Sequence, residues 1–358
     1  MSEAVNGDAE VGRVGGCAVV AAGATTGSRL LASADAFVER MSPFDRQVRL
    51  NVPAGALTVT REAYLAFAGA QAMDWAPAEV DALGRVVADV GALLSRWDVA
   101  LPATVHLVRT TGREEGHAAY TRGDGVVALP AAKVASLAPG AVPGSPRYPR
   151  ADERRLADLV VHELFHLVSK HDPARRRALY ALVGYRQLDH EVELPAVPWP
   201  APESPALLPD LRITNPDAPA LDVCISMRVP EGPSRSAEGG VERWLAPVLV
   251  APGPYVGGDL FDHVRWWFLA VEPGAAGRWK AVVGDDGRPL AHRMDDASPL
   301  WPQYRALVGG NATGQLFHPE EIVAENVVAL ARLPSLGVLA GIEAELAGAP
   351  PAAGGSAP

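Results

Sequence analysis

The sequence predicts an α+β protein, because the spacing of its apolar residues changes along the chain. From residue 29 to residue 97, apolar side chains recur at the helical period. From Thr104 to Arg109 they alternate, and β-branched residues on both sides of a Gly-Asp-Gly turn at 123–125 indicate a β-hairpin. The stretch 189–300 contains further runs of β-branched and aromatic residues. Helices and strands are therefore both expected.

Five segments are expected along the chain. Both ends consist mostly of small and polar residues, which offer too little large apolar surface to order themselves. We predict a flexible N-terminal tail over 1–28, a helical and small-sheet region over 29–188, a β-rich insertion over 189–300, a C-terminal helical part over 301–345 and a flexible tail over 346–358.

The composition excludes several classes of partner. Among 358 residues, 42 Asp and Glu against 32 Lys and Arg give a net charge of −10, which argues against a nucleic-acid-binding protein. Cys17 and Cys224 are too few and too far apart for a disulfide framework. No apolar run reaches the roughly 18–20 residues that span a bilayer, and the acidic N-terminus is unlike a secretory signal. We expect a soluble, cytoplasmic protein that binds neither nucleic acid nor a membrane.

The residues that indicate chemistry lie in one predicted helix. Its apolar positions between 156 and 168 follow the helical period, and His162, Glu163 and His166 form an H-E-x-x-H motif inside it. Residues four apart share a helix face, so both imidazoles can bind one Zn²⁺ while Glu163 reaches a bound water as general base. The apolar flanks place the histidines at the edge of a dry face, where neutral imidazole can bind metal.

A later helix offers a carboxylate that could complete this metal site. The stretch that begins at Pro319 is a predicted helix with Pro at its first position, and it carries Glu320, Glu321 and Glu325. Glu321 and Glu325 are four positions apart and share a face, whereas Glu320 is turned about 100° away. The sequence therefore predicts that at most one neighbouring pair of these acids faces the metal.

The motif resembles that of the HEXXH zinc metallopeptidases, and the acidic pair is similar to that of their gluzincin subgroup. Gluzincins take a third ligand from a downstream helix, often with a second acid four residues later that orients a ligand histidine. The resemblance covers only these two helices, and it implies Glu321 as third ligand and Glu325 as orienting partner. It also implies a zincin-like fold, with a small sheet, an active-site helix, a β-rich insertion and a C-terminal helical part that supplies the Glu.

A second subgroup, the metzincins, leaves Asp172 as an alternative ligand. Asp172 stands at the position of the last ligand in that subgroup. However, Ser169 replaces the glycine of the sharp turn, and Asp172 before Pro173 is also typical of a helix N-cap. Asp172 therefore stays an alternative to the two glutamates.

The resemblance implies a zinc-dependent hydrolase, most specifically a metallopeptidase, with one zinc ion per chain and a peptide or protein substrate. In this mechanism a metal-activated water attacks the carbonyl, Glu163 is the general base, and a further group stabilises the oxyanion. Tyr304 is the candidate for that donor, with His318 as an alternative. Two other functions stay open: hydrolysis of a non-peptide amide or one dedicated biosynthetic peptide, and binding by a non-catalytic zincin-like protein. A base beside an open coordination position favours catalysis.

Overall fold

The computed structural model describes residues 7–55, 58–135, 149–200, 203–230, 240–309, 314–332 and 338–348. Within them the fold is mixed α+β, as predicted. None of the helices in these ranges is long and apolar enough to cross a membrane. The helices are α1 Ala24–Leu31, α2 Ala36–Arg40, α3 Pro43–Leu50, α4 Arg61–Gly69, α5 Pro77–Leu94, α6 Ala131–Val134, α7 Pro149–His171, α8 Pro173–Leu182, α9 Leu208–Leu211, α10 Leu260–His263, α11 Trp301–Leu307, α12 Pro319–Arg332 and α13 Val338–Leu346.

The strands fall into two sheets, β1–β5 and β6–β12. They are β1 Ala9–Val14, β2 Cys17–Ala22, β3 Thr104–Thr110, β4 Tyr120–Arg122, β5 Val126–Pro130, β6 Tyr185–Gln187, β7 Arg212–Ile213, β8 Val223–Val229, β9 Val241–Val250, β10 Arg265–Pro273, β11 Trp279–Ala281 and β12 Ala291–Arg293.

The described residues form two compact units. The first takes its residues from Met1–Asp35, Leu65–Leu179 and Val323–Pro358, and the second from Ala36–Tyr64 and Tyr180–Ile322. The second unit contains the predicted β-rich stretch 189–300, but it also includes α2 and α3 from the N-terminal part of the chain. The division falls inside α12 after its first turn, so this continuous helix belongs to both units.

The first unit is built on a five-stranded sheet in the order β1-β2-β3-β5-β4. β2, β3 and β5 run parallel, while β1 and β4 are antiparallel to their neighbours. β4 and β5 form the predicted hairpin, in which Tyr120 pairs with Ala128 and Arg122 with Val126. Gly123 in the turn has a φ of 50°, a left-handed conformation that glycine adopts without strain.

The N-terminal segment is ordered from β1 onward, which corrects the tail predicted over 1–28. β2 is short and consists of small residues, so its own apolar area is modest. It nevertheless lies between β1 and β3, and Val19 and Ala21 are each 1% exposed. Small side chains suffice in a strand that is covered by neighbouring elements. Residues 1–6 lie outside the described residues, as do 349–358 of the predicted C-terminal tail.

Two long helices pack in this unit and set the position of the motif. α5 has the apolar stripe expected from its sequence, and its members Leu83, Val86, Val87 and Val90 are at most 1% exposed. α5 contacts both β1 and α7. In the C-terminal half of α7, apolar residues are buried on most sides of the helix, which embeds the motif in the core.

The second unit is built on a seven-stranded antiparallel sheet. Its main path is β11-β10-β9-β8-β6, with β12 paired to β10 and β7 paired to β9. The core on this sheet includes Leu208, Val250, Tyr255 and Leu269, each fully buried. Cys224 belongs to the same core, where burial raises the pKa of its thiol to about 12. Cys17 and Cys224 form no disulfide, as expected.

Candidate metal centre

The H-E-x-x-H motif lies on one uninterrupted helix. α7 runs from Pro149 to His171, so His162 and His166 are one turn apart on the same face. His162 is 7%, Glu163 2% and His166 0% exposed. The two imidazole ring centroids are 4.8 Å apart, and the ring planes are inclined at 84°. The two histidines therefore lie side by side in a buried position.

The end of α7 is anchored to the β4–β5 hairpin. Lys170 Nζ donates a hydrogen bond of 2.6 Å to Thr121 Oγ1, and His171 Nε2 lies 2.8 Å from the carbonyl oxygen of Asp124. Both contacts lie within the two turns that follow the motif. They fix the direction of the helix beside the sheet.

The acidic helix α12 brings a carboxylate to the first histidine. Glu325 Oε1 lies 4.0 Å from His162 Nδ1, and the Glu325 side chain is 29% exposed. Glu321 is one turn earlier on the same continuous helix, so the helix geometry directs it to the same face. The Glu325–His162 contact therefore places α12 beside the motif of α7.

His162, His166 and Glu321 can offer one ligand atom each to a common metal ion. These atoms lie within 4.8 Å of one another, and all three residues are buried. Two imidazole nitrogens and one carboxylate oxygen are the donor set of many catalytic zinc sites, which leave a fourth position open. Donors around tetrahedral zinc are about 3.4 Å apart, so the three ligand atoms would have to move closer together to hold this ion. Zinc ligation by the three residues stays a prediction.

A loop residue that sequence reasoning missed holds Glu321. Asn215 Nδ2 donates a hydrogen bond of 2.7 Å to Glu321 Oε1, and Asn215 Oδ1 accepts one of 3.1 Å from the backbone N–H of Asp217. The residues 214–217 have the composition of a simple turn, and nothing in that pattern indicates a partner 106 positions away.

The loop that carries Asn215 is itself held by a buried ion pair. Arg49 Nη1 donates to Asp45 Oδ1 at 2.7 Å, and both side chains are fully buried. The Asp45 carboxylate also accepts from the backbone N–H groups of Ser42 and Thr214, each at 3.1 Å. A buried carboxylate satisfied by several donors keeps a fixed geometry. This network therefore fixes the position from which Asn215 reaches Glu321.

Tyr304 does not fit the predicted role of oxyanion donor. Its hydroxyl donates to the carbonyl oxygen of Leu316 at 2.5 Å and contacts the Tyr185 hydroxyl at 3.0 Å. The residue is 0% exposed, and burial raises the pKa of its phenol well above the ordinary value. Its ring packs against Trp266 and Phe268. A phenol that is committed to a backbone carbonyl in an aromatic core cannot serve a substrate, so this prediction is corrected.

His318 and Glu320 have structural contacts at the start of α12. His318 Nδ1 accepts a hydrogen bond of 3.2 Å from the backbone N–H of Glu320, which is a helix-capping contact. The Glu320 carboxylate accepts one of 2.5 Å from the Tyr180 hydroxyl. Glu320 is therefore directed to Tyr180, in agreement with the prediction that it points away from Glu321.

Asp172 caps α8 and does not have the geometry of a metzincin ligand. Its Oδ1 accepts a hydrogen bond of 3.0 Å from the backbone N–H of Arg175, and its Oδ2 lies 3.6 Å from Arg175 Nε. α7 also continues through Ser169 to His171 without the sharp turn that this subgroup requires. Asp172, the alternative third ligand, thus acts as the N-cap of α8, as its position before Pro173 predicts.

Known proteins do not add to this assignment. No protein-family model, no characterised protein and no solved structure matches the chain significantly. The candidate function therefore depends on the chemistry and geometry of the residues themselves.

Proposed function

We propose that this protein is a zinc-dependent hydrolase, specifically a metallopeptidase of the gluzincin type with a zincin-like fold. The observation that carries the proposal is the buried group of His162, His166 and Glu321, whose ligand atoms lie within 4.8 Å of one another. Glu163 follows the first histidine on the same helix, as a general base must in this type of site. One zinc ion per chain would be held by these three ligands.

The chemistry divides between the metal and the chain. A bound zinc ion would act as a Lewis acid that activates the attacking water and polarises the scissile carbonyl. Glu163 accepts the proton of the attacking water at its carboxylate and passes it to the leaving nitrogen. Glu325 faces His162 Nδ1 at 4.0 Å and orients that ring. Burial of the three motif residues excludes bulk water, which strengthens each of these interactions.

Zinc content tests the metal site directly. The purified protein should contain about one zinc ion per chain by elemental analysis, because three protein ligands and one open position make a catalytic-type site. A His162→Ala/His166→Ala double variant should contain almost none. His171→Ala is the matched control, since His171 lies on the same helix but contacts the Asp124 carbonyl. Full zinc occupancy in the double variant would contradict the proposed metal site.

Cleavage of a peptide library tests the reaction. The zinc-loaded protein should cleave members of the library, detected by mass spectrometry, and a chelator should stop cleavage until zinc is restored. Hydrolysis of a simple amide without peptide cleavage would identify the alternative substrate class. One bound zinc ion with no hydrolysis of either class would favour the non-catalytic binding protein.

Replacing Asn215 should weaken zinc binding without removing a ligand. Asn215→Ala removes the 2.7 Å hydrogen bond to Glu321, and loss of such a ligand-orienting contact typically weakens metal affinity by about 10- to 100-fold. Zinc affinity measured by competition with a chelator should therefore fall in Asn215→Ala, and an unchanged affinity would contradict the role.

A further inference from the structure

The β-rich second unit contains a pocket that the proposed hydrolysis does not use. The pocket has a volume of about 430 Å³ and lies where β10 begins and β12 ends. This volume is within the range of about 300–1,000 Å³ that is usual for small-molecule sites. Its wall includes three aromatic residues, one methionine and two arginines: Trp266, Trp301, Phe317, Met294, Arg265 and Arg293.

The aromatic part of the wall is packed edge to face. The Trp266 ring meets the Trp301 ring edge-on at 6.0 Å and the Tyr304 ring at 5.2 Å. Tyr304 is fully buried and bonded to the Leu316 carbonyl, so it fixes the back of this cluster. Met294 adds an adaptable apolar contact, and its backbone N–H donates to the carbonyl oxygen of Trp266 at 3.0 Å. Such a wall suits a flat apolar group, since aromatic pairs favour edge and offset contacts.

Two arginines supply positive charge at the same pocket. Arg265 Nη1 donates to the carbonyl oxygens of Asp262 and Val264, each at 2.9 Å, so backbone carbonyls hold this side chain. Arg293 pairs with Asp295 at 3.1 Å, but their side chains are 56% and 44% exposed. Exposed pairs of this kind contribute little to stability, so Arg293 can turn to a ligand at small cost. Arginine is well suited to bind a carboxylate through two parallel hydrogen bonds.

We propose that this pocket binds an aromatic carboxylate, with the ring against Trp266, Trp301 and Phe317 and the carboxylate on Arg265 and Arg293. A free small molecule and the C-terminal residue of a peptide present the same chemistry. The site needs neither zinc nor Glu163, so it is independent of the proposed hydrolysis.

Binding of three small probes tests the two halves of the pocket. Isothermal titration of the full-length protein should give a Kd of about 1 mM or lower for N-acetyl-phenylalanine. The amide of this probe lacks the carboxylate and N-acetyl-alanine lacks the ring, so each should bind about 10-fold more weakly. A hexapeptide that ends in phenylalanine, compared with its C-terminal amide, distinguishes a peptide end from a free small molecule as the better ligand.

Two variants separate the charged and the aromatic contributions. Arg293→Gln should weaken N-acetyl-phenylalanine about 10-fold and leave the amide probe unchanged, because only the carboxylate contact is lost. Phe317→Ala should weaken both probes, and its circular dichroism spectrum checks the fold. Arg278→Gln is the matched control, since this arginine pairs with Glu193, is 64% exposed and is not part of the pocket wall.

The results of the probe-binding experiments can be told apart from a failure of the proposed zinc-dependent hydrolysis. Equal affinity for the acid and the amide, or an Arg278→Gln effect as large as that of Arg293→Gln, would overturn the carboxylate assignment. No binding of any probe at about 10 mM would overturn the pocket as a ligand site. Preserved probe binding in His162→Ala/His166→Ala, with zinc lost, would support the pocket independently of the metal centre.

Discussion

Glu163→Gln should lose most hydrolysis while the protein keeps its zinc. The amide preserves the shape of the side chain but cannot accept the proton of the attacking water, and general acid–base catalysis contributes about 10²- to 10⁴-fold. We therefore expect kcat/KM to fall by that factor on a peptide that the wild type cleaves. Zinc content should remain about one per chain, because Glu163 is not a proposed ligand.

A glutamate elsewhere on α7 provides the control for this variant. Glu153 lies near the start of the helix and pairs with Arg85 at 2.7 Å, so Glu153→Gln changes the same charge on the same element. Hydrolysis should be unaffected by that change. Wild-type cleavage rates in Glu163→Gln would show that this carboxylate is not the base, whereas loss of zinc would place its effect on the metal site. The two measurements together separate binding from chemistry.

The parts of the fold that the sequence predicts are those in which neighbours along the chain determine the environment. The helical stripe of α5 and the β4–β5 hairpin are of this kind, because a period of 3.6 or 2 and a Gly-Asp-Gly turn are local signals. β2 was missed because its burial comes from β1 and β3, not from its own small side chains. The inclusion of α3 in the second unit has no local signal either, since it depends on contacts such as that of Asp45 with Thr214.

In the candidate metal site, too, the sequence predicts only what a single helix determines. His162 and His166 can be paired from the sequence because a single helix sets their spacing. Glu321 and Glu325 can be proposed only as an acidic pair, and their contact with α7 comes from tertiary packing. The prediction for Tyr304 is wrong because tertiary packing again decides the role. A phenol can stabilise an oxyanion, but the structure shows that this hydroxyl donates to the Leu316 carbonyl.

Glu321→Ala should release most of the zinc. The substitution removes a proposed ligand and leaves two histidines, which do not complete the three-ligand set of a catalytic zinc site. Glu325→Ala should have a smaller effect, about 10- to 100-fold, because Glu325 lies 4.0 Å from His162 Nδ1 and is proposed to orient that ring, not to bind the metal. The measurement is zinc affinity by chelator competition, and the predicted order of loss is Glu321→Ala, then Glu325→Ala.

Two acidic residues near the site serve as controls for this order. Glu320→Ala breaks the hydrogen bond from Tyr180, and Asp172→Ala removes the cap of α8 at a cost of about 1 kcal/mol, yet neither should change zinc affinity. Thermal unfolding monitors these structural costs separately from metal binding.

A zinc affinity that collapses in Asp172→Ala but survives in Glu321→Ala would replace the gluzincin arrangement with one in which Asp172 is the third ligand. A larger loss in Glu325→Ala than in Glu321→Ala would exchange the roles of ligand and orienting partner between the two glutamates, since both lie on the same face of α12.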